Sequence, residues 1–256
     1  NSVHEVKETM AQTESSQTLF MDLGSSMADA QVEMVGFAIR TPIKNLIQSY
    51  HYDLLNDGNW GFSDGTNGLL QVEVQSFSLD VAIQIKAYST GVSVNGHSLQ
   101  PGQKLALSES CSIETPIGSF QYTQLASKEY KGLITGVGTQ KMEVFEGDNI
   151  EFGREPNPPG YTLYERANPN GVVWASGKNA KMAIANNYTL DRVIIGRQQV
   201  KLAVLGEGSY ELTAIHRRIP TLLVENGSLS ILKGRQRITS NTLIILGTNI
   251  LQITEV

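Results

Sequence analysis

With one cysteine in 256 residues, this chain cannot close a disulfide within itself. Cys111 also cannot build a multi-cysteine metal site, and the scarcity fits a reducing, cytoplasmic compartment. Histidine is nearly as rare: His4, His51, His97 and His216 are far apart, and none stands in a His-x-x-x-His spacing, so no metal site is expected. No apolar run approaches the ~20 residues that a membrane-spanning helix needs. Aromatic residues make up 7% of the chain, too few to advertise a sugar-stacking surface, so Trp60 and Trp174 are expected to fill cores or brace loops. Basic residues are outnumbered 20 to 25, and the net charge of −5 disfavours nucleic acid or an anionic membrane as partner.

Catalytic patterns are missing as well. A glycine-rich phosphate cradle needs a strand, a loop and a helix, and no helix is expected after any glycine cluster. Cys111, in Ser110-Cys111-Ser112-Ile113 beside a predicted strand, reads as a small buried side chain rather than a nucleophile. Asp53/Asp57 and Glu146/Asp148 lie in turn-forming contexts, where a carboxylate bends the backbone. Asn56-Asp57-Gly58-Asn59 carries too few acids for a calcium loop. The expectation is a chain that is not an enzyme and holds no cofactor.

What is present is strand signal. Gln71-Val72-Glu73-Val74-Gln75 and Val81-Ala82-Ile83-Gln84-Ile85-Lys86 alternate apolar and polar residues with period two, which buries one face. Turn clusters follow at short intervals, at Asn56-Asp57-Gly58, Asp64-Gly65, Asn95-Gly96 and Pro101-Gly102, the spacing of an antiparallel sandwich. Pro42 to Tyr52 is read as one short helix interrupting them. Further strands are predicted at Lys201–Val204, Thr221–Val224, Leu229–Leu232 and Leu243–Leu246, with Asn226-Gly227 as a hairpin turn.

A length of 256 residues suits two domains of roughly 100 residues each behind a leader. Residues 1–31 are polar and read as that leader, 32–127 as a first sandwich, 128–141 as a connection, and 142–256 as a second sandwich. The segment from Tyr161 to Asn187, bordered by Pro156, Pro158, Pro159 and Gly160, is expected as a surface insertion. The chain opens on Asn1 rather than Met, as expected of a piece of something longer. Each block places an apolar strand before an Asn-Gly turn, at 95–96 and at 226–227, and the simplest account is a tandem duplication.

Within the second block, Gly153-Arg154, Ile195-Gly196-Arg197-Gln198-Gln199-Val200 and Glu225-Asn226-Gly227 fall in order along predicted strands. Together they resemble a forkhead-associated (FHA) domain, a β-sandwich that reads phosphothreonine. The resemblance implies an all-β fold of two FHA-like antiparallel β-sandwiches in tandem. Trp60-Gly61-Phe62-Ser63 then lies where Gly-Arg would be in the first block, and Val81–Ile85 where Ser-Arg-x-His would be, which makes that copy degenerate. In the second block the resemblance assigns phosphate contact to Arg154 and Arg197, peptide-backbone contact to Asn226, and the supporting turns to Gly153 and Gly227. Gly196 replaces the family serine and Gln199 the family histidine that braces the loop, so the hydroxyl contact is absent. Thr213 to Arg218 would bring Arg217 and Arg218 to the same rim. The implied partner is a protein or a phosphothreonine-containing peptide. The alternative is a phosphate-independent scaffold in an assembly such as a secretion or envelope machine.

Overall fold

The computed structural model describes residues 28–61, 68–77, 80–153, 173–176, 181–184 and 194–256. Their regular structure is strand, apart from a single helical residue at Ile194. The first eleven strands are β1 (Ala30–Arg40), β2 (Ser49–Leu54), β3 (Trp60–Gly61), β4 (Leu70–Phe77), β5 (Asp80–Ala87), β6 (Val92–Val94), β7 (His97–Leu99), β8 (Lys104–Ala106), β9 (Cys111–Thr115), β10 (Gly118–Gln124) and β11 (Tyr130–Val144). Ten more follow: β12 (Asn149–Gly153), β13 (Val173–Ser176), β14 (Lys181–Ile184), β15 (Val200–Gly206), β16 (Ser209–Ala214), β17 (Leu222–Glu225), β18 (Ser228–Ile231), β19 (Arg235–Ile238), β20 (Leu243–Leu246) and β21 (Asn249–Glu255).

The strands form three antiparallel sheets. A five-stranded sheet runs β3-β2-β4-β5-β8, a six-stranded sheet runs β14-β13-β12-β15-β16-β19, and a ten-stranded sheet runs β18-β17-β20-β21-β1-β11-β10-β9-β6-β7. The orders repeat. Setting β1–β3 against β11–β13 and β4–β10 against β15–β21 maps the five-stranded order onto the six-stranded one, with β14 added at its edge. The same mapping reads the ten-stranded sheet identically from either end. Loop hydrogen bonds repeat too: Leu69 N–H donates to Leu54 O (2.8 Å) as Gln199 N–H does to Phe152 O (2.9 Å). Tyr88 and Ser89 N–H both donate to Leu69 O (2.9 and 3.3 Å), as Ile215 and His216 do to Gln199 O (3.0 and 3.3 Å). The Asn-Gly turns of β6–β7 and β17–β18 match in backbone, with φ of 47° and 81° at Asn95-Gly96 and 49° and 78° at Asn226-Gly227. Two successive positive φ values are the geometry that a twisted two-residue hairpin requires.

The centre of the repeat is the β1–β11 pair. The N-terminal part of β1 pairs with β21, from Ala30↔Glu255 to Phe37↔Asn249, while the N-terminal part of β11 pairs with β10, from Gly132↔Gln124 to Thr135↔Gln121. Against β21, β1 carries one extra residue at Val35, between Met34↔Leu251 and Gly36↔Ile250. Side chains alternate along a strand, so one extra residue moves odd-numbered Phe37 and Ile39 to the face held by even-numbered Ala30, Val32 and Met34. That single bulge lets one strand feed two cores. Ala30, Val32 and Met34 pack with Ile150, Phe152, Leu202, Tyr210 and Leu212 of the six-stranded sheet. Phe37 and Ile39 pack with Tyr50, Tyr52, Val72 and Ile85 of the five-stranded sheet. Phe37 stacks near Tyr52 and Trp60 (centroids 4.7 and 4.8 Å), and Trp60 meets Phe120 edge-on at 5.7 Å. Fully burying each large side chain stabilises the fold by about 1.5–3 kcal/mol.

On the reverse face of the ten-stranded sheet, Val35, Ala38, Tyr130, Leu133, Leu222, Val224, Ile245 and Ile250 form a third cluster. Polar bonds seat the β20–β21 turn there: Tyr130 Oη donates to Gly247 O (2.7 Å), Ala38 N–H to Thr248 O (2.8 Å), and the Tyr52 and Thr248 hydroxyls share a bond of 2.5 Å.

Three expectations change. Pro42 to Tyr52 is no helix: Ile47 N–H donates to Ile43 O (3.1 Å) in a single turn, Asn45 takes φ 69°, and Ser49 onward is β2. Tyr50 and Tyr52 alternate inward from that strand, and this burial outweighs one helical turn. Residues 128–141, expected as a connection, carry most of the 15-residue β11, and the expected leader already contains the start of β1 at Ala30. The expected alignment of the first block also shifts. Val81–Ile85 lies in β5, whose counterpart is β16; the counterpart of the Gly196–Gln199 turn is the stretch leading through Gly68 and Leu69 into β4, and the counterpart of Gly153 is Leu55, not the Trp60 turn.

Candidate functional site

At one end of the six-stranded sheet the chain leaves β12 at Gly153, returns through 194–199 into β15, and passes through 215–221 between β16 and β17. These are the segments expected to carry recognition. Arg154 lies outside the described residues, as do 161–172, 177–180 and 185–187 of the expected Tyr161–Asn187 insertion; its described part is not turn but the paired strands β13 and β14, which extend the six-stranded sheet beyond β12. Gly153 is placed, and its lack of a side chain has a direct cause: a Cβ there would sit 2.1 Å from Arg197 O. The backbone of the Arg197 turn therefore rests on Gly153, which brings these two expected residues together. Arg197, Arg217 and Arg218 are exposed on adjacent loops.

Gln199 organises this end. Its side chain is 1% exposed, and its Oε1 accepts from Gly196 N–H (2.7 Å) while its Nε2 donates to Ile219 O (2.9 Å) and Thr221 Oγ1 (3.1 Å). Its own backbone oxygen accepts from Ile215 and His216. One residue thus clamps the turn before β15 to the loop before β17. Sequence reasoning gave no hint that Thr221, 22 residues away, would be its partner.

His216 lies in the same loop before β17. Its Nδ1 accepts from Ile219 N–H (2.9 Å) and Arg218 N–H (3.2 Å), which leaves the ring edge facing Gly196. A Cβ on Gly196 would lie 2.4 Å from His216 Cδ2 and 2.9 Å from Gln199 Oε1. The space beside Gly196 is therefore already filled.

Asn226 and Gly227 form the β17–β18 turn. Thr221, beside Gln199, precedes one end of β17 and Asn226 follows the other, so the full length of that strand separates them from the Gln199 clamp. At ~3.3 Å per residue this is on the order of 15 Å.

The counterpart end of the five-stranded sheet is built differently. Asp53, fully buried, accepts from Gln71 Nε2 (3.1 Å) and lies 3.5 Å from Tyr88 Oη. Loss of solvation first, then the Asp53 charge and hydrogen bond, push the Tyr88 hydroxyl up to about 12. Asp57 spends both carboxylate oxygens on Asn59, each at 3.0 Å, and Asp148 accepts Phe145 N–H (2.8 Å), so both act as turn formers. Among the described residues, no three His, Cys, Asp or Glu side chains gather as metal ligands, and no helix is long and apolar enough to cross a membrane.

No protein-family model matches the chain, and no curated protein or solved structure matches it either.

Proposed function

We propose that this chain is a non-enzymatic protein-docking module made of two FHA-like sandwiches in tandem, and that it docks its partner without reading phosphate. The palindromic order of the ten-stranded sheet supports the tandem reading, with the two copies exchanging an edge through β1 and β11. Each long strand then serves both copies, which makes the pair one rigid scaffold rather than two beads on a linker. The observation that carries the phosphate-independent reading is the His216 ring against Gly196. The place from which a serine hydroxyl would reach a phosphate is closed, and the loss of one charge-assisted hydrogen bond of about 1.5–3 kcal/mol is not made good by any side chain at that position. A structural component of a larger assembly, such as a secretion or envelope machine, is the setting this favours.

One observation favours the other reading. Arg197, Arg217 and Arg218 are exposed on neighbouring loops, where guanidinium groups, together with Arg154, would engage a phosphothreonine. Affinity capture on the immobilised chain separates the two, using source-cell extract with and without phosphatase treatment. Equal recovery of the same proteins is the expected result. Recovery lost on dephosphorylation, and lost equally with Arg197→Ala, would establish the phosphothreonine reader instead.

A further inference from the structure

Away from the loops just described, two adjoining cavities of about 760 and 440 Å³ meet at Asp80, Val81 and Lys131, which line both, and together they make a groove. It lies where the β1–β2 loop, the β4–β5 hairpin and the β10–β11 turn meet at the side of the first sandwich. Its frame is held by backbone bonds. Ser76 N–H donates to Gln48 O (2.9 Å), joining the hairpin to the β1–β2 loop. Thr41 N–H donates to Glu129 O and Thr41 Oγ1 to Lys128 O, both at 2.7 Å, joining that loop to the β10–β11 turn.

The chemistry of the groove is lopsided. Lys44, Lys128 and Lys131 line it against a single acid, Asp80. Among the described residues no ion pair engages any of the three lysines. Asp80, whose Oδ1 accepts Val81 N–H at 2.8 Å, is one carboxylate against three ammonium groups, so the lining keeps a surplus of positive charge. A cluster of unpaired cations on a chain of net charge −5 is not a background property of its surface. Beside the lysines the wall is apolar: Phe77 is 53% exposed, and Val81, Leu107 and Leu125 continue from it. An exposed aromatic next to a cationic rim is how a docking groove combines anchor and orientation.

We propose that this groove docks an acidic segment of a partner protein, one carrying Glu or Asp residues on both sides of a bulky apolar anchor. The anchor packs on Phe77 and Val81, and the carboxylates meet Lys44, Lys128 and Lys131. The proposal rests on the reading of the chain as a protein-docking module, and it names where and by what chemistry it docks. Lysine ammonium groups are mobile point charges, which suits carboxylates at several spacings better than one fixed phosphate.

The test is fluorescence anisotropy of the full chain with a labelled peptide of alternating glutamate and leucine around one phenylalanine, beside its lysine-for-glutamate counterpart. The acidic peptide is expected to bind at least tenfold more tightly, with affinity falling as salt rises. Lys128→Glu together with Lys131→Glu is expected to weaken it tenfold or more, and Phe77→Ser several-fold, with thermal midpoints near that of the parent because all three side chains are at least partly exposed. Equal binding of the two peptides, or an unchanged affinity in the charge-reversed variant, would overturn the proposal. So would lysine-dependent binding to phosphatidylserine vesicles without binding to the peptide. Partner capture that survives the charge reversal would sink the groove and leave the docking function intact; loss of capture from every site would sink both.

Discussion

The ring of His216 fills the space that a side chain at Gly196 would need, with Cδ2 2.4 Å from the position of a Cβ. Gly196→Ser therefore overpacks the loop. It is expected to lower stability by about 1–3 kcal/mol, the usual cost of forcing extra atoms into a filled site. Urea denaturation of Gly196→Ser, His216→Ala and the double variant checks this, since removing the ring should relieve part of the serine penalty. Independent, additive effects would show that the two positions do not compete.

Gln199→Ala removes three hydrogen bonds from a site that water does not reach. The cost is set by the partners left behind, Gly196 N–H, Ile219 O and Thr221 Oγ1, and is expected to be about 2–4 kcal/mol. Thr221→Val deletes only one of these bonds and should cost about 1 kcal/mol. Hydrogen exchange would add a local signature: the amides of Gly196 and Ile215 should lose protection before those of β15.

Period-two alternation made β4, β5 and β15 legible, because each buries one face and its apolar residues repeat every second position, whereas β20 was legible as a short run of four apolar residues. The Asn-Gly turns were legible for a similar reason, since few residue pairs tolerate two positive φ values. The long strands were harder. β11 carries Gly132, Gly136 and Gly138, which read as a connection, yet they are small because neighbours crowd them: a Cβ at Gly132 would meet Tyr122 at 2.4 Å and one at Gly136 would meet Phe120 at 2.2 Å. The pairing of β1 leaves no local mark, because its partners lie far along the chain: Arg40 meets Tyr130 and Ala30 meets Val144 of β11, and Ala30 meets Glu255 of β21. At the candidate site, the sequence singled out Gly196 and Gln199 but not the packing of the His216 ring beside the first or the bond of Thr221 to the second.

Tyr122 is 1% exposed in the first core, and burial pushes its hydroxyl up to about 12, with the neighbouring Cys111 adding to the shift. A phenol in the unfolded chain ionises near 10. Between these values the folded state holds the proton that the unfolded state has released, so stability is intact below about pH 10 and falls as pH rises toward 12. The lost contribution is on the order of 2–3 kcal/mol. Tyr122→Phe, which removes the ionisable group, should flatten this part of the stability curve, and tyrosinate absorbance should rise together with loss of structure in the parent chain.

Cys111 is 7% exposed, and burial raises its thiol above the usual range. The thiolate is the reactive form, so both effects protect it. Ellman's reagent at neutral pH is expected to label it only at the rate of opening, slowly in buffer and at once in denaturant. Rapid labelling of the native chain would contradict its place against Tyr122 at the edge of the first core.

Gly36 tests the shared strand itself. It lies at the β1 bulge, where the strand passes from the core of the six-stranded sheet to that of the five-stranded sheet, and a Cβ there would fall 1.8 Å from Ile134 O. The obstacle is backbone of β11, which cannot rotate away as a side chain can. Gly36→Ala must therefore open the β1–β11 ladder at its centre, and the cost is expected to exceed about 3 kcal/mol, among the largest of any single substitution. Because β1 and β11 belong to both halves, the loss should not stay local. Probes in each core, Trp60 fluorescence in a Trp174→Phe background for the first and hydrogen exchange of β15 for the second, are expected to report one coincident transition shifted to lower denaturant. Weakening of one half alone would mean that the two cores do not depend on a common pair of strands.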